Sequence, residues 1–485
     1  MTVRRLVLSI SLLFFVTLTS FAAPPDELLR TTNGLASSIL TGPAMSTLQE
    51  LTDGYGGRVT GTPAYEHSAE WAAAKFRSYG IKDVRLEPFT IPAGWQRGYA
   101  RAEMLAPLAR PLHVASLGWA PSTPSGSIEA EVMVLSDLSE ASIKASTDKI
   151  KGRIVLMDIS KAYRENRMKA YQLAHAAYRL LHDAGAVAIL SPQRDRNNVI
   201  NAHSPGWHAE MALLPMVDLG MEDADLMRRA AAANQTIRIK LDVQNQVSGQ
   251  TTVHNVIAEI RGSEHPEEWI LVGGHLDSWD FGTGAQDNGT GTVSVLEAAR
   301  ALAALGHPPR RSVRFALWGG EEEGIIGSHA YVESHAAELE KCVAVVNTDN
   351  GSGHPKGWKV EGRQDLMQAM QPISDSLLKG MAAGDLSMET TYDTDHGPFM
   401  LKGIPALDLE VDMTHYLEVH HKSSDTFDKV DPVDFKTDVA IVAVTAYAIA
   451  QNPQAIAPHI DHAAVSDIVK KAGLEDMLKE AGVWQ

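Results

Sequence analysis

Between residues 252 and 451 short apolar runs alternate with helical stretches, and this alternation restricts the fold more than any other feature of the chain. The runs are HNVIAEI, WILVGG, SVRFALW, CVAVVNT, WKVEG and IPALDLEV. Helices are expected at about 293–305, from near Ile325, at 364–378 and at 432–451. A strand must cover both faces, and a helix returning between successive strands covers them when the strands run parallel. The expectation is an α/β fold with a mostly parallel mixed sheet flanked by helices. Its strand ends converge on one edge, where ligands of such sheets bind.

Chemistry-bearing residues fall at those strand ends. The run LVGGHLDSWDFGTGAQDNGTG at 271–291 carries His275, Asp277 and Asp287, the last after a loop containing Gly282 and Gly284. His275 and Asp277 are two apart, so extended backbone through them points both to one side, and Asp277 can orient the imidazole. SVRFALW leads into GGEEEG with Glu321, Glu322 and Glu323; CVAVVNT leads to Asp349; and His420–His421 is followed by Asp425. Taken singly, each has an ordinary reading as a turn, a helix cap, a solvated acid run or an incidental histidine pair. Together they place His, Asp, Glu, Asp and His at the loops of one sheet. Imidazole and carboxylate ligands without thiolate suit zinc ahead of manganese or cobalt. The set exceeds what one catalytic zinc takes and suffices for two ions ~3.5–4 Å apart if one carboxylate bridges them, with a free carboxylate alongside as general base. Residue types alone leave open which glutamate and which histidine take each role.

The rest of the chain frames this site. A basic start, MTVRR, precedes an apolar run from Leu6 to Val16 and small residues at Ser20 and Ala22, which reads as a signal peptide over residues 1–22 and an exported, periplasmic or secreted protein. The run is shorter than the ~20 residues a spanning helix needs, so no membrane association is expected after cleavage. A net charge of −17 without clustered Lys or Arg argues against nucleic acid as partner. The single cysteine, Cys342, lies in an apolar run and forms no intrachain disulfide. Between about 101 and 247 the pattern changes to strand-like EAEVMVL, GRIVLMDI, AVAIL and IRIKLDV around two helices, a compact insert whose His182, His203 and His208 lack ligand spacing. The tail after Pro458 reads as an amphipathic helix.

HLDSWDFGTGAQDNGTG, LWGGEEEGIIGS, NTDNG, DTDHGPF and HHKSSDTFD, in that order, resemble the M28 family of co-catalytic zinc exopeptidases, and the resemblance extends from RVTGTP to KVDP. It implies two Zn2+ ions, with His275 and Asp349 on one, Glu322 and His421 on the other, and Asp287 bridging. It makes Glu321 the general base, because the family spacing Glu-Glu-x-Gly matches Glu321, Glu322 and Gly324. An aspartate four residues after the ligand selects His421 and leaves His420 as a neighbour. Asp277 and Asp425 would support the ligands from behind, and Asp395 and His396 would line or brace the pocket. The organisation implied is 23–108 and 248–456 for the zinc peptidase domain, a protease-associated-like insert at 109–247, and a helical extension at 457–485. The implied substrates are small peptides, foremost dipeptides with a free N-terminus, and the implied assembly is a homodimer. An aminopeptidase for longer peptides, a glutaminyl cyclase and a non-catalytic peptide-binding relative are the alternatives on this scaffold.

Overall fold

A computed structural model describes residues 26–165 and 167–484; the expected signal peptide lies outside the described residues. Two eight-stranded mixed sheets organise the chain. In the first, the central strands His265–His275, Arg311–Trp318, Cys342–Asn347 and Ala406–Val411 pair in parallel, and antiparallel strands flank them on both sides. Successive residues of these strands alternate between two apolar cores. Ile270, Val272, Phe315, Leu317 and Val346 join one, while Trp269, Leu271, Ala316, Trp318 and Val345 join the other. Burial of both faces explains why the runs are apolar throughout rather than at every second position.

Helix Pro432–Gln451 forms where expected. Asp431 caps it by accepting from the amides of Val433 and Asp434 at 2.8 and 3.0 Å, and Pro432 opens its first turn. It packs with Thr290–Ala303 and Asp26–Leu40 on one face of the sheet. Gly273 and Gly274 close the central strand because a Cβ there would sit 2.9 Å from the Trp318 indole nitrogen and 3.1 Å from the Thr348 carbonyl. Any side chain at these two positions would push the neighbouring strand away from the ligand edge.

All strands of the second sheet lie between Trp95 and Val247. It begins with strand Trp95–Ala106, earlier than the boundary at 109 expected from sequence, because that strand pairs with Arg238–Val247 rather than with the first sheet. The tail also differs from expectation. It forms two helices, His462–Ala472 and Glu475–Glu480, broken where Gly473 takes φ +72°. No helix among the described residues is long and apolar enough to cross a membrane.

Candidate metal centre

Four loops of the first sheet meet at the carboxyl ends of its parallel strands. His275 ends strand His265–His275, fully buried, with its carbonyl accepting from Thr292 Oγ1 at 2.7 Å. Its Nδ1 faces the Asp277 carbonyl at 3.0 Å, so Nδ1 donates and Nε2 is left as the atom turned to the cleft. The Asp277 carboxylate stands farther off, 3.5 Å from Nδ1, and its other oxygen accepts from the Glu322 amide at 3.2 Å. Asp277 therefore orients the ring mainly through its backbone and uses its carboxylate on the glutamate loop.

Around His275 Nε2 lie Asp349 Oδ1 at 2.9 Å, Asp287 Oδ1 at 3.4 Å and Glu321 Oε2 at 3.8 Å. A second group forms on the far side of Asp287. His421 Nε2 stands 3.4 Å from Asp287 Oδ2 and 3.0 Å from Glu322 Oε2. Asp287 thus turns one oxygen to each histidine. His420 approaches Asp287 Oδ2 at 3.6 Å, with its ring stacked on His421 at 3.7 Å. Four-coordinate zinc with bonds of ~2.0–2.1 Å holds its ligand atoms about 3.3 Å apart; His275, Asp287 and Asp349 lie close enough together to share an ion, as do Asp287, His420 and His421, and Glu322 approaches this second group through His421.

Electrostatics agree with that fit. Burial lifts Glu321 and Glu322 well above the usual carboxylate range, and the acids around them add to it: Asp349 and Asp395 at Glu321, Asp287 and Asp277 at Glu322. Burial raises Asp349 to about 6 against the pull of His275. Burial opposes charge on His275, but Asp349 and Glu321 outweigh it and hold the imidazole well above its ordinary value. Carboxylates gathered this closely stay ionised together only with added positive charge, which bound metal ions would bring.

Supporting residues fix the loops. Asp425 accepts from the amides of Gln286 and Asp287 at 2.7 and 3.1 Å and so fixes the backbone that aims the Asp287 carboxylate. The Asp287–Asn288 peptide is cis, and Asn288 Nδ2 donates to the Thr348 carbonyl at 3.0 Å, tying the Asp287 and Asp349 loops together. Asp395 accepts from Ser328 Oγ at 2.6 Å, and burial raises it to about 7. His396 does not face the cleft. It is fully buried, its Nε2 lies 3.4 Å from Glu361, and that carboxylate holds it at about 9 despite burial. It braces the 391–396 loop from behind. Glu323, the third acid of the triplet, is buried without a hydrogen-bond partner for its carboxylate, and its own carbonyl accepts from the His208 amide at 2.6 Å.

Nothing in the sequence singles out Arg58, in RVTGTP, as part of this site. Fully buried, it donates from Nε to the Leu276 carbonyl at 2.7 Å, from Nη1 to Gly56 and Thr283 at 3.0 and 2.8 Å, and from Nη2 to Gly284 at 3.0 Å. Leu276 follows His275, and Thr283 and Gly284 precede Asp287, so one guanidinium spans both ends of the ligand loop. Of the insert histidines expected to be ordinary, His182 pairs with Asp183 at 3.0 Å and His203 lies 3.6 Å from Asp218, whereas His208 reaches the glutamate loop through its backbone.

The profile described as Peptidase family M28 matches residues 255–446. Carboxypeptidase Q from Mus musculus is 31% identical over 410 residues, covering 82% of this chain and 84% of that protein. Among solved structures, a peptidase M28 precursor from Shewanella amazonensis superposes with a TM-score of 0.77 at 27% identity, over 90% of this chain and 99% of the other. A zinc aminopeptidase from Bacillus subtilis shares the fold, with a TM-score of 0.66 at 21% identity over 86% of this chain and 97% of its own.

Proposed function

The chain belongs to peptidase family M28, and on that premise we propose that it is an exported di-zinc exopeptidase that hydrolyses small peptides, foremost dipeptides with a free N-terminus. The carrying observation is the Asp287 carboxylate, with one oxygen 3.4 Å from His275 and the other 3.4 Å from His421. His275 and Asp349 would hold one ion, Glu322 and His421 the other, and Asp287 would join them. Zinc ions bound there act as Lewis acids toward a carbonyl oxygen and acidify water.

Glu321 is the general base in this reading. Its neighbour Glu322 is engaged with His421 and with the Trp279 amide, and Glu323 is more deeply buried, which leaves Glu321, 3.8 Å from His275 Nε2, as the free acid of the triplet beside the ligands. It accepts a proton from the attacking water and delivers it to the departing amine. Asp277 and Asp425 keep the ligand loops in register during that transfer. The second sheet is read as a protease-associated-like insert that caps the cleft, an assignment supported by its backbone contacts to the glutamate and His421 loops.

The test is a dipeptide panel with and without chelator, following free amino acids, run in parallel on Glu321→Gln. Wild type should hydrolyse dipeptides only when zinc is present. The variant should keep its zinc and lose ~10²–10⁴-fold in kcat, the range of a general base. A zinc-replete variant with unchanged turnover would remove Glu321 from the role, and chelator-insensitive hydrolysis would remove the metal.

A further inference from the structure

The tail is the one segment singled out in the sequence that the proposed chemistry leaves unused. It is fastened first to the catalytic sheet. Arg363 Nη2 donates to the Pro458 carbonyl at 2.6 Å, His459 Nε2 to the Cys342 carbonyl at 2.7 Å, and the Ile460 amide to Gly403 at 3.0 Å. Val465, Val469 and Leu478 are buried in the core that contains Trp318, Tyr331 and Phe399. The end of the tail stays packed on this core through Leu474, Met477, Val483 and Trp484, and from there it touches the insert. The Ala481 carbonyl accepts from His208 Nε2 at 3.1 Å, and Glu480 lies 3.7 Å from His175 on helix Arg167–Asp183.

Of the two insert residues it touches, His208 belongs to a loop laid between two of the candidate ligand loops. The Ala202 amide donates to the His421 carbonyl at 2.7 Å, and the His208 amide to the Glu323 carbonyl at 2.6 Å. Residues 202–208 therefore run from one ligand loop to the other. The Trp207 ring lies 3.3 Å from where a Cβ of Gly324 would stand, so it is laid directly on the glutamate loop. His208 contacts the ligand loop through its backbone and the tail through its side chain.

We propose that residues 475–484 are a latch that holds the 202–208 loop down beside the metal centre and thereby limits the length of peptide the site accepts. The proposal rests on the exopeptidase reading for its substrate and deepens it. The tail is anchored to the sheet that carries the ligands, and through His208 and His175 it fixes the insert relative to that sheet. Without it, the roof loses both ties from the tail and keeps the two backbone hydrogen bonds, the Trp207 packing and the Asp195–Lys422 ion pair at 3.2 Å.

The experiment compares the full chain with a version ending at Gly473 and with His208→Ala, each checked for zinc content and for thermal midpoint. kcat/KM is measured for a dipeptide and for a tetrapeptide of the same N-terminal residues. Hydrogen exchange at the Ala202 and His208 amides is followed in the same samples. The truncated protein should show a dipeptide-to-tetrapeptide ratio at least tenfold below that of the full chain, mainly through a lower KM for the tetrapeptide, with faster exchange at both amides. His208→Ala should move the ratio in the same direction by about threefold, which decides the matter if the truncated chain does not fold. A ratio within twofold of the full chain in both zinc-replete variants overturns the latch. If the full chain cleaves no peptide, the exopeptidase reading has failed by itself; unchanged exchange in the variants would then separately overturn the latch, and faster exchange would uphold its mechanical half.

Discussion

Replacing Arg58 with lysine should loosen the metal centre without touching a ligand. The guanidinium makes four hydrogen bonds to carbonyls, three of them at the two ends of the ligand loop, on Leu276, Thr283 and Gly284, and one on Gly56. Asp425 and Asp277 are the largest of the negative charges that favour its charged form, and they partly offset the burial that lowers it to about 10. A lysine keeps the charge but presents its donors from a single atom, and from the same stem it can reach roughly two of the four carbonyls. A hydrogen bond to a charged group contributes ~1.5–3 kcal/mol, so losing two costs about 3–6 kcal/mol. That loss divides between stability of the ion-free fold and the organisation that places His275 opposite Asp287. If only about 1.4 kcal/mol of it falls on metal binding, the apparent Kd for zinc weakens about tenfold. The assay is competition with a chromophoric chelator, with thermal unfolding of the ion-free protein measured alongside. Zinc affinity within twofold of wild type, in a variant destabilised by the expected amount, would refute the view that Arg58 sets ligand spacing and leave it a purely structural residue.

The bridging role of Asp287 predicts an asymmetry: Asp287→Ala should lose both ions in metal analysis, whereas His275→Ala should mainly weaken one, and retention of both ions by the Asp287 variant would show the bridge to be misassigned. Asp438 offers a test remote from the metals. It is buried in helix Pro432–Gln451 with neither carboxylate oxygen hydrogen-bonded, and burial, with a smaller contribution from Asp434, holds it well above the usual carboxylate range. The folded protein therefore keeps a proton that the unfolded chain releases above about pH 3.9. Its stabilising contribution is fully present below that pH and is lost as pH rises toward the folded value, at ~1.4 kcal/mol for each pH step of one between the two. Asp438→Asn should flatten the fall in unfolding free energy between about pH 4.5 and 7.5, read by urea titration, and parallel slopes would contradict the assignment.

Much of the catalytic half was legible because its signals are local. Runs such as WILVGG and SVRFALW are apolar on both faces, and the residues at their ends, His275, Asp287, Glu322, Asp349 and His421, sit within a few positions of a strand end or a glycine turn. The structure brings all five together; residue types alone left open which glutamate faces His421, the family resemblance pointed to Glu322, and the folded loop puts it 3.0 Å from His421. Arg58 was not legible because its partners are backbone carbonyls, the farthest of them 226 residues away in the chain, and carbonyls carry no sequence signature. For His396 the sequence left two roles open, lining or bracing the pocket. Beside Asp395 in DTDHGPF it has a pocket-like setting, but the start of the short helix Gly397–Leu401 turns it inward to Glu361. Strand Trp95–Ala106 was missed because its exposure alternates weakly, and its place in the second sheet is set by pairing with residues far along the chain.

The roof over the metal centre is tied to the ligand loops by two amide-to-carbonyl bonds, from Ala202 to His421 and from His208 to Glu323. Neither bond depends on the side chain at any of the four positions. Packing restricts size at Ala202, which is buried in the core, but the donor itself is lost in only one substitution, to proline, which has no N–H. A chain that diverged at the exposed positions of this loop would keep both ties while changing the side chains the loop carries, so its attachment and its chemistry can be inherited separately.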